Sequence, residues 1–507
     1  MKKRLFILCL LLSVTLGKAQ SRKIKILQAD NTYTDPNYPG ATISLGNVHV
    51  SHQGATLRCD QAFIYQQKNL IEAYGNVLVN QGDTIRQRSR YTSYDADNQL
   101  ITSWGDVVLT DPVMTLKTDT LFFDRGAQKL YYQQGGSIKD SLNFLKSDIG
   151  NYHLKTHFFE ALNRVSVTND DGVLNTDKLN YDTDTGISWM YGPSTITGED
   201  RHMYTERGTH NPQTKISYFL KNSKIAFDNR TIEGDSLYYD QGLEYATATG
   251  NIRVIDTLNN STVKGGYAEV YQLKDSLFIT DKAVIISKID QDSMYVHGQK
   301  ILVTGKENER LIKVFNRVKF FKEDLQGKCD SLVSNERSGL TELLVAPVIW
   351  AQGNQITGDT IHLISNTETD RLDSLKIRNN SLMVQKDSAG FSQLKGKNML
   401  GLFKENNLRS LDVVGNSEVI FYIRDEQEKL IGISKMESSK NILIHFENKA
   451  IETVDFIVKP SGHTYPPPDF PEDEKRFKEF VWRADEQPLT KDDIFEQDKE
   501  LSTENKS

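Results

Sequence analysis

The chain has 507 residues, 25% of them charged and 9% aromatic, with only 12 Pro, a balance that argues against bulk disorder. Its net charge of −7 provides no basic patch, so no nucleic-acid partner is expected. The acidity is local: residues 460–507 carry 13 Asp/Glu against 7 Lys/Arg, and everything before them is close to neutral.

The first nineteen residues read as a signal peptide. Lys2, Lys3 and Arg4 form a positive start, Leu5–Leu16 an apolar run, and Gly17-Lys18-Ala19 the small residues before a cut placed after Ala19. That run is short for a membrane span, and no other stretch is apolar and long enough for one. The mature chain is therefore expected to be exported and soluble. Residues 20–45 form an N-terminal lead with a basic IKIL segment and a turn-rich Tyr/Pro/Asp/Asn region.

From Gly46 one phrase recurs: GNVHV at Gly46, GNVLV at Gly75 and GDVVL at Gly105, spaced 29 and 30 residues apart. Gly with Asn or Asp makes a tight turn, and the alternating residues behind it make a strand with one face to bury. Further copies start at Gly135, Asn163, Gly192, Asn222, Gly250, Asp281, Asn316, Ala346, Asn379 and Gly415, giving 13 units within residues 46–459. A second phrase keeps step, as in CDQAFIY at Cys59, TDTLFFD at Thr118, TDKLNYD at Thr176 and GDSLYYD at Gly234. A turn-plus-strand unit of about 30 residues signals a repeat array, either continuous or in two or more modules. The body is read as all-β, antiparallel and elongated.

The period of 2 decides which side chains share a face. One phase collects Val48, Val50, Ile64, Val77, Val79, Val107, Leu109, Leu121, Phe123, Leu179, Leu237, Tyr239, Ile252, Val254, Val284 and Ile286. The opposite phase carries His49, Arg253, Lys319, Lys178, Asn180 and Ser236. Successive units must then enclose an apolar core or channel. Residues 460–490 break the pattern with Pro466-Pro467-Pro468, and PEDEKRFKEFVWR (Pro471–Arg483) is expected to be helical, with Phe477, Phe480 and Val481 on one side, either as a cap on the array or as a solvated surface helix. Residues 491–507 are expected to form a disordered acidic tail.

Catalytic patterns are sparse. No GxSxG elbow, phosphate loop or paired-Cys metal knuckle occurs. His153 and His157 would share a helix face but lie roughly 13 Å apart on a strand, so no metal site and no cofactor are expected. The recurring Asp (Asp60, Asp119, Asp177, Asp235, Asp330, Asp359) fits a turn that accepts backbone N–H bonds better than a calcium or hydrolytic ladder. Aromatics ending the second phrase fit a core better than a sugar-stacking ladder. Cys59 and Cys329 read as small, semi-buried, unpaired thiols. Function then falls to shape: an exported β array with an apolar inner face is suited to shielding a long-chain lipid, each buried CH₂ contributing about 0.8 kcal/mol. The rival reading of the same face is a filled core.

The repeated GNVxV, the Asp phrase and the short Leu/Tyr/Ala strand before each turn (LIEAYG, LEYATATG) resemble the OstA-like, or organic-solvent-tolerance, family of lipopolysaccharide transport. The resemblance spans most of Gly46 to about Ile457, and the PEDEKRFKEFVWR tail is similar to the end of larger members. It implies an open β-jellyroll of V-shaped antiparallel strands, to which the reading above adds a short C-terminal helix and polar tail. The implied function is non-enzymatic: periplasmic passage of lipopolysaccharide acyl chains to the outer membrane, within outer-membrane biogenesis. The lining would be the phase that begins with Val48 and Val50. Partners would be lipopolysaccharide or another long-chain lipid, and related jellyrolls of the inner- and outer-membrane complexes joined by edge-strand pairing. No barrel-like run of amphipathic strands follows, which separates the chain from the outer-membrane insertase. The alternatives are an exported β-repeat scaffold, or a parallel β-helix enzyme acting on polysaccharide.

Overall fold

The computed structural model describes residues 23–289, 291–306, 308–369, 371–405, 407–438, 440–447 and 450–497. The expected signal peptide, residues 1–19, and the tail beyond residue 497 lie outside the described residues. The chain forms two compact units, Met1–Glu199 with Thr209–Gln213, and Asp200–Gly208 with Thr214–Ser507.

In the first unit the alternating phrases become long strands: Thr42–His52, Ala55–Tyr65, Leu70–Gln81, Ile85–Asp95, Leu100–Thr110 and Thr115–Asp124. Each pairs antiparallel with its sequence neighbour. One 30-residue repeat is thus two strands, out and back. Hairpins such as Gln53-Gly54 (φ +45° and +78°) join them in the left-handed pair suited to two-residue turns. The lead joins the array one strand early, because Lys25–Gln28 and Asn31–Thr34 both pair with Thr42–His52. These antiparallel ladders rule out the parallel coil of a β-helix.

The Gly-Asn phrase is not the turn that the sequence suggests. It lies inside a continuous strand and bends it. Gly75 and Asn76 take φ +74° and +45°, and the register of Leu70–Gln81 against Ile85–Asp95 slips between Tyr74 and Val77. Two left-handed residues on one strand oppose fewer on the next, which is a β-bulge. Gly46-Asn47, Gly250-Asn251, Asn316-Arg317 and Asn379-Asn380 repeat the device. Every bend divides its strand between two facing walls, the V-shaped strands of an open jellyroll.

At three of its six positions the recurring Asp secures the bend, by a different bond from the expected one. Asp60 accepts from the Asn76 amide at 2.8 Å, Asp235 from Asn251 at 2.8 Å, and Asp359 from Asn380 at 3.0 Å. A Cβ on Gly75 would run into the Asp60 carboxylate, so Gly and Asp are required together.

The C-terminal segment also departs from expectation. Pro471–Arg483 is not one helix but a 3₁₀ turn at Glu472–Glu474, a second turn in which Phe480 N donates to Phe477 O at 3.0 Å, and irregular chain to Arg483. It runs along the outer face of the second unit. Phe470 and Phe477 bury against Leu382, Val384, Ile420, Tyr422 and Ile433, with Phe480 and Trp482 packed beside them, while Val481 stays exposed. Gln393 and Gln355 grip the segment's backbone. Gln393 donates to Lys475 O at 2.8 Å and accepts from Phe477 N at 3.0 Å, and Gln355 donates to Val481 O at 2.7 Å and accepts from Arg483 N at 2.6 Å. Farther on, Lys319 donates to Glu496 O at 2.9 Å, and a 3₁₀ turn at Asp493–Phe495 buries Ile494. The disorder expected from Lys491 therefore does not hold for residues 491–497, and Lys319 is covered instead of solvated.

The bend account predicts unequal costs at two left-handed glycines. Gly192 (φ +88°) has open space where a Cβ would go, whereas Gly75 has the Asp60 carboxylate. Gly192→Ala should cost about 1 kcal/mol of backbone strain and Gly75→Ala about 2–3 kcal/mol, with part recovered in Gly75→Ala/Asp60→Ala. Equal costs in urea unfolding would contradict the Gly–Asp fit.

Candidate functional site

Both walls of the second unit bring an apolar face inward, and a cavity remains between them. On one wall Val314, Leu332 and Leu343 follow one another across adjacent strands. On the other, Ile285, Val296, Phe320, Gly327, Ile349, Ile356 and Met383 do the same. The apolar cavity between them measures about 330 Å³. It shares Ile285, Ile289 and Ile312 with a second, polar cavity of about 590 Å³, which is lined also by Arg230, Asp256, Lys288, Arg310, Glu336 and Arg337. Here Arg310, buried, donates to Asp256 at 2.7 Å. Burial opposes the Asp256 charge, but bonds from Asn259 and Arg310 outweigh it and hold the carboxyl below its usual range.

The predicted lining divides between the units. Val48, Val50, Ile64, Val77, Val79, Val107, Leu109, Leu121, Phe123 and Leu179 all point inward in the first unit and are buried. There they fill a core. Across adjacent strands Ile64, Ile71, Tyr94, Ile101, Phe123, Leu130, Tyr152, Phe159 and Tyr181 make one continuous row. The cavity touching Val50, Val79 and Ile101 holds about 20 Å³. The interior also contains a polar tie, in which Gln87 and Thr92 both bond Ser103 and Thr92 bonds Ser89.

In the second unit Leu237, Tyr239, Ile252 and Val254 are buried, and Val254 lines the polar cavity. Val284 and Ile286 are one residue out of phase. The left-handed pair is Asp281-Lys282 (φ +60° and +54°), so Ala283 and Ile285 take the inward places. Val284 pairs instead with His297, whose ring lies 4.8 Å from that of Phe495 in the C-terminal segment. Burial holds the His297 imidazole below its ordinary pKa, the Ala283 carbonyl opposing and Lys319 adding to the effect. Leu332, Leu343, Ile356 and Met383 were not selected from sequence, although each obeys the same alternation.

The remaining candidates resolve into structural roles. His153 ends the strand Ile149–His153, and His157 sits in the following turn with Nδ1 2.8 Å from Asp184, so HLKTH is neither helix nor strand. The six recurring Asp are exposed at the bends. Among the described residues no group of three or more His, Cys, Asp or Glu is placed to hold a metal ion. Aromatics ending the second phrase split by phase: Phe123, Tyr181 and Tyr239 are buried, while Phe122 and Tyr238 face outward, 4.8 Å from Tyr131 and 5.1 Å from Tyr218. Such cross-strand pairs stabilise a sheet. No helix among the described residues is long and apolar enough to cross a membrane.

The model of the OstA-like protein family matches residues 21–171 and 155–235, so the resemblance read from the GNVxV phrases holds over that stretch. No curated protein matches the chain. Among solved structures, LptH, the LptA-homologous periplasmic component of the lipopolysaccharide transport device from Pseudomonas aeruginosa, is similar at 18% identity and a TM-score of 0.19. That alignment covers 21% of this chain and 75% of LptH.

Cys59 and Cys329 are free and buried, each directly before a bend Asp. Burial pushes both thiols up to about 12, so neither forms appreciable thiolate near neutrality. A disulfide reagent at pH 8 should leave both almost unreacted in the folded protein and titrate both in urea. Rapid stoichiometric reaction under native conditions would contradict the buried placement.

Proposed function

We propose that this chain is a non-enzymatic lipid-transport protein of the OstA-like type, which holds lipopolysaccharide acyl chains in the apolar cavity of its second unit on their way to the outer membrane. The observation that carries this is the pair of adjoining cavities between the walls of the second unit, one apolar and one with charged residues in its lining. An acyl chain entering the apolar part gains about 0.8 kcal/mol per buried methylene. Arg230, Lys288 and Arg337 at the polar end suit a phosphorylated headgroup. The family match over residues 21–235 supports the transport class.

In this reading the protein is exported after cleavage at Ala19 and works in the periplasm. Two exposed strands, Asn31–Thr34 and Ser461–Tyr465, offer edges to related jellyrolls of the inner- and outer-membrane complexes. The filled interior of the first unit favours the rival scaffold reading for that part of the chain.

Photocrosslinking amino acids at Val254, Leu332 and Met383 should capture lipopolysaccharide in cells, while one at Arg253, on the outer face, should not. Equal labelling at all four sites, or none at any, would sink the proposal.

A further inference from the structure

The first unit is closed along its open side by a row of side-chain bonds between the two walls' rims. At one end Arg125 donates to Tyr94 OH at 2.7 Å, to Gln81 Oε1 at 2.8 Å and to Gln53 O at 3.0 Å. Tyr94 also meets His52 Nδ1 at 2.5 Å, and Gln81 donates to Gln128 at 2.9 Å. Gln53 and Gln81 belong to one rim, Tyr94, Arg125 and Gln128 to the other. The row continues with Tyr152 donating to Asp111 at 3.0 Å, Asn143 donating to Tyr181 OH at 2.6 Å, Tyr181 donating to Asp140, and His210 lying 3.8 Å from Asp171. His52, Asp111, Arg125, Asn143 and His210 are all buried. Burial and the neighbouring carboxylates push the Tyr152 and Tyr181 phenols up, which keeps them protonated as donors.

The second unit shows what the row does. Arg201 donates to Tyr239 OH at 2.7 Å and Arg310 to Asp256 at 2.7 Å, again joining opposite rims. Past Arg310, rim residues Ser334, Thr341 and Ser365 on one side and Lys322, Asp324 and Gln352 on the other line the cavity. Where ties follow one another along the rims, as in the first unit, the interior is filled. Around the Arg310–Asp256 tie and beyond it, the interior is open.

We propose that this row is a gate: the rims of the first unit part along the Arg125, Tyr152 and Tyr181 bonds, and an acyl chain then enters the interior lined by Val107, Leu109, Leu121 and Phe123. Side-chain bonds that water can replace are the means of closure, and the bulges at mid-strand are where the walls can swing. The gate rests on the lipid-transport reading for its cargo. Its opening is a separate event with its own reporter, because Cys59 faces this interior opposite Val48.

The test uses the full-length protein with Tyr152→Phe/Tyr181→Phe, which keeps both rings and removes only the two hydroxyls, and with Arg125→Ala as a stronger variant. The folded variants should react with a thiol reagent at Cys59 at least fivefold faster than the parent, with Cys329 unchanged. A photocrosslinker at Phe123 should gain lipopolysaccharide labelling in the same variants. It should lose labelling when Gln81→Cys/Gln128→Cys is bridged by a short bis-maleimide. An unchanged Cys59 rate in a folded Tyr152→Phe/Tyr181→Phe protein would overturn the gate. A faster Cys59 without labelling at Phe123, while Leu332 still captures lipid, would overturn it as a lipid entrance and leave the second-unit site standing. Loss of labelling at Leu332 as well would remove the transport reading beneath it.

Discussion

Two consecutive left-handed residues at mid-strand set the geometry on which everything else depends. An antiparallel ladder with strict alternation would give a flat sheet with one wet face and one dry face. The bulge at Gly75-Asn76 and its counterparts turns each strand so that its two halves face each other, and the dry face becomes an interior. At Gly46, Gly75 and Gly250 an Asp–Asn bond holds this bend, and the Asp carboxylate fills the space that only Gly leaves open. Bend, inward phase and interior are three consequences of one local conformation.

What the interior holds depends on the size of the inward side chains and on the rims. In the first unit Tyr132, Tyr152, Tyr181, Phe123 and Phe159 bring large rings into the space, and polar ties join the rims. In the second unit the ties stop after Arg310–Asp256 and the space stays open. A lipid site is thus not a property of apolar alternation alone.

This explains which parts were legible in sequence. Phase was readable wherever the bend pair was Gly-Asn or Gly-Asp, and Val48, Val77, Val107 and Ile252 point inward as their alternation predicts. At Asp281-Lys282 the bend has no Gly, so the run of four apolar residues that follows gives no anchor for the register, and Val284 falls on the other face. The cavity itself was not readable, because it is set by contacts between rims far apart in sequence, such as Arg310 with Asp256. The covering role of the C-terminal segment left a trace that the alternation argument passed over. Val348, Trp350, Leu382, Val384, Ile420 and Tyr422 are apolar at outward positions, and all are buried. A strand apolar on both faces needs a second cover, and Phe470 and Phe477 supply it for the last strands. The Phe477, Phe480 spacing that suggested a helix is served instead by one turn, Phe480 N to Phe477 O, in a segment held on Gln393 and Gln355.

The central claim is that the open apolar space of the second unit is where lipid binds. Met294 and Met383 line that space and are only half-buried, so larger side chains there can fill it without displacing the walls. Equilibrium binding of lipopolysaccharide to purified Met294→Trp/Met383→Trp protein, beside its urea unfolding midpoint, tests this most directly. The account predicts at least tenfold weaker binding with the midpoint little changed. Undiminished affinity in the filled variant would contradict it.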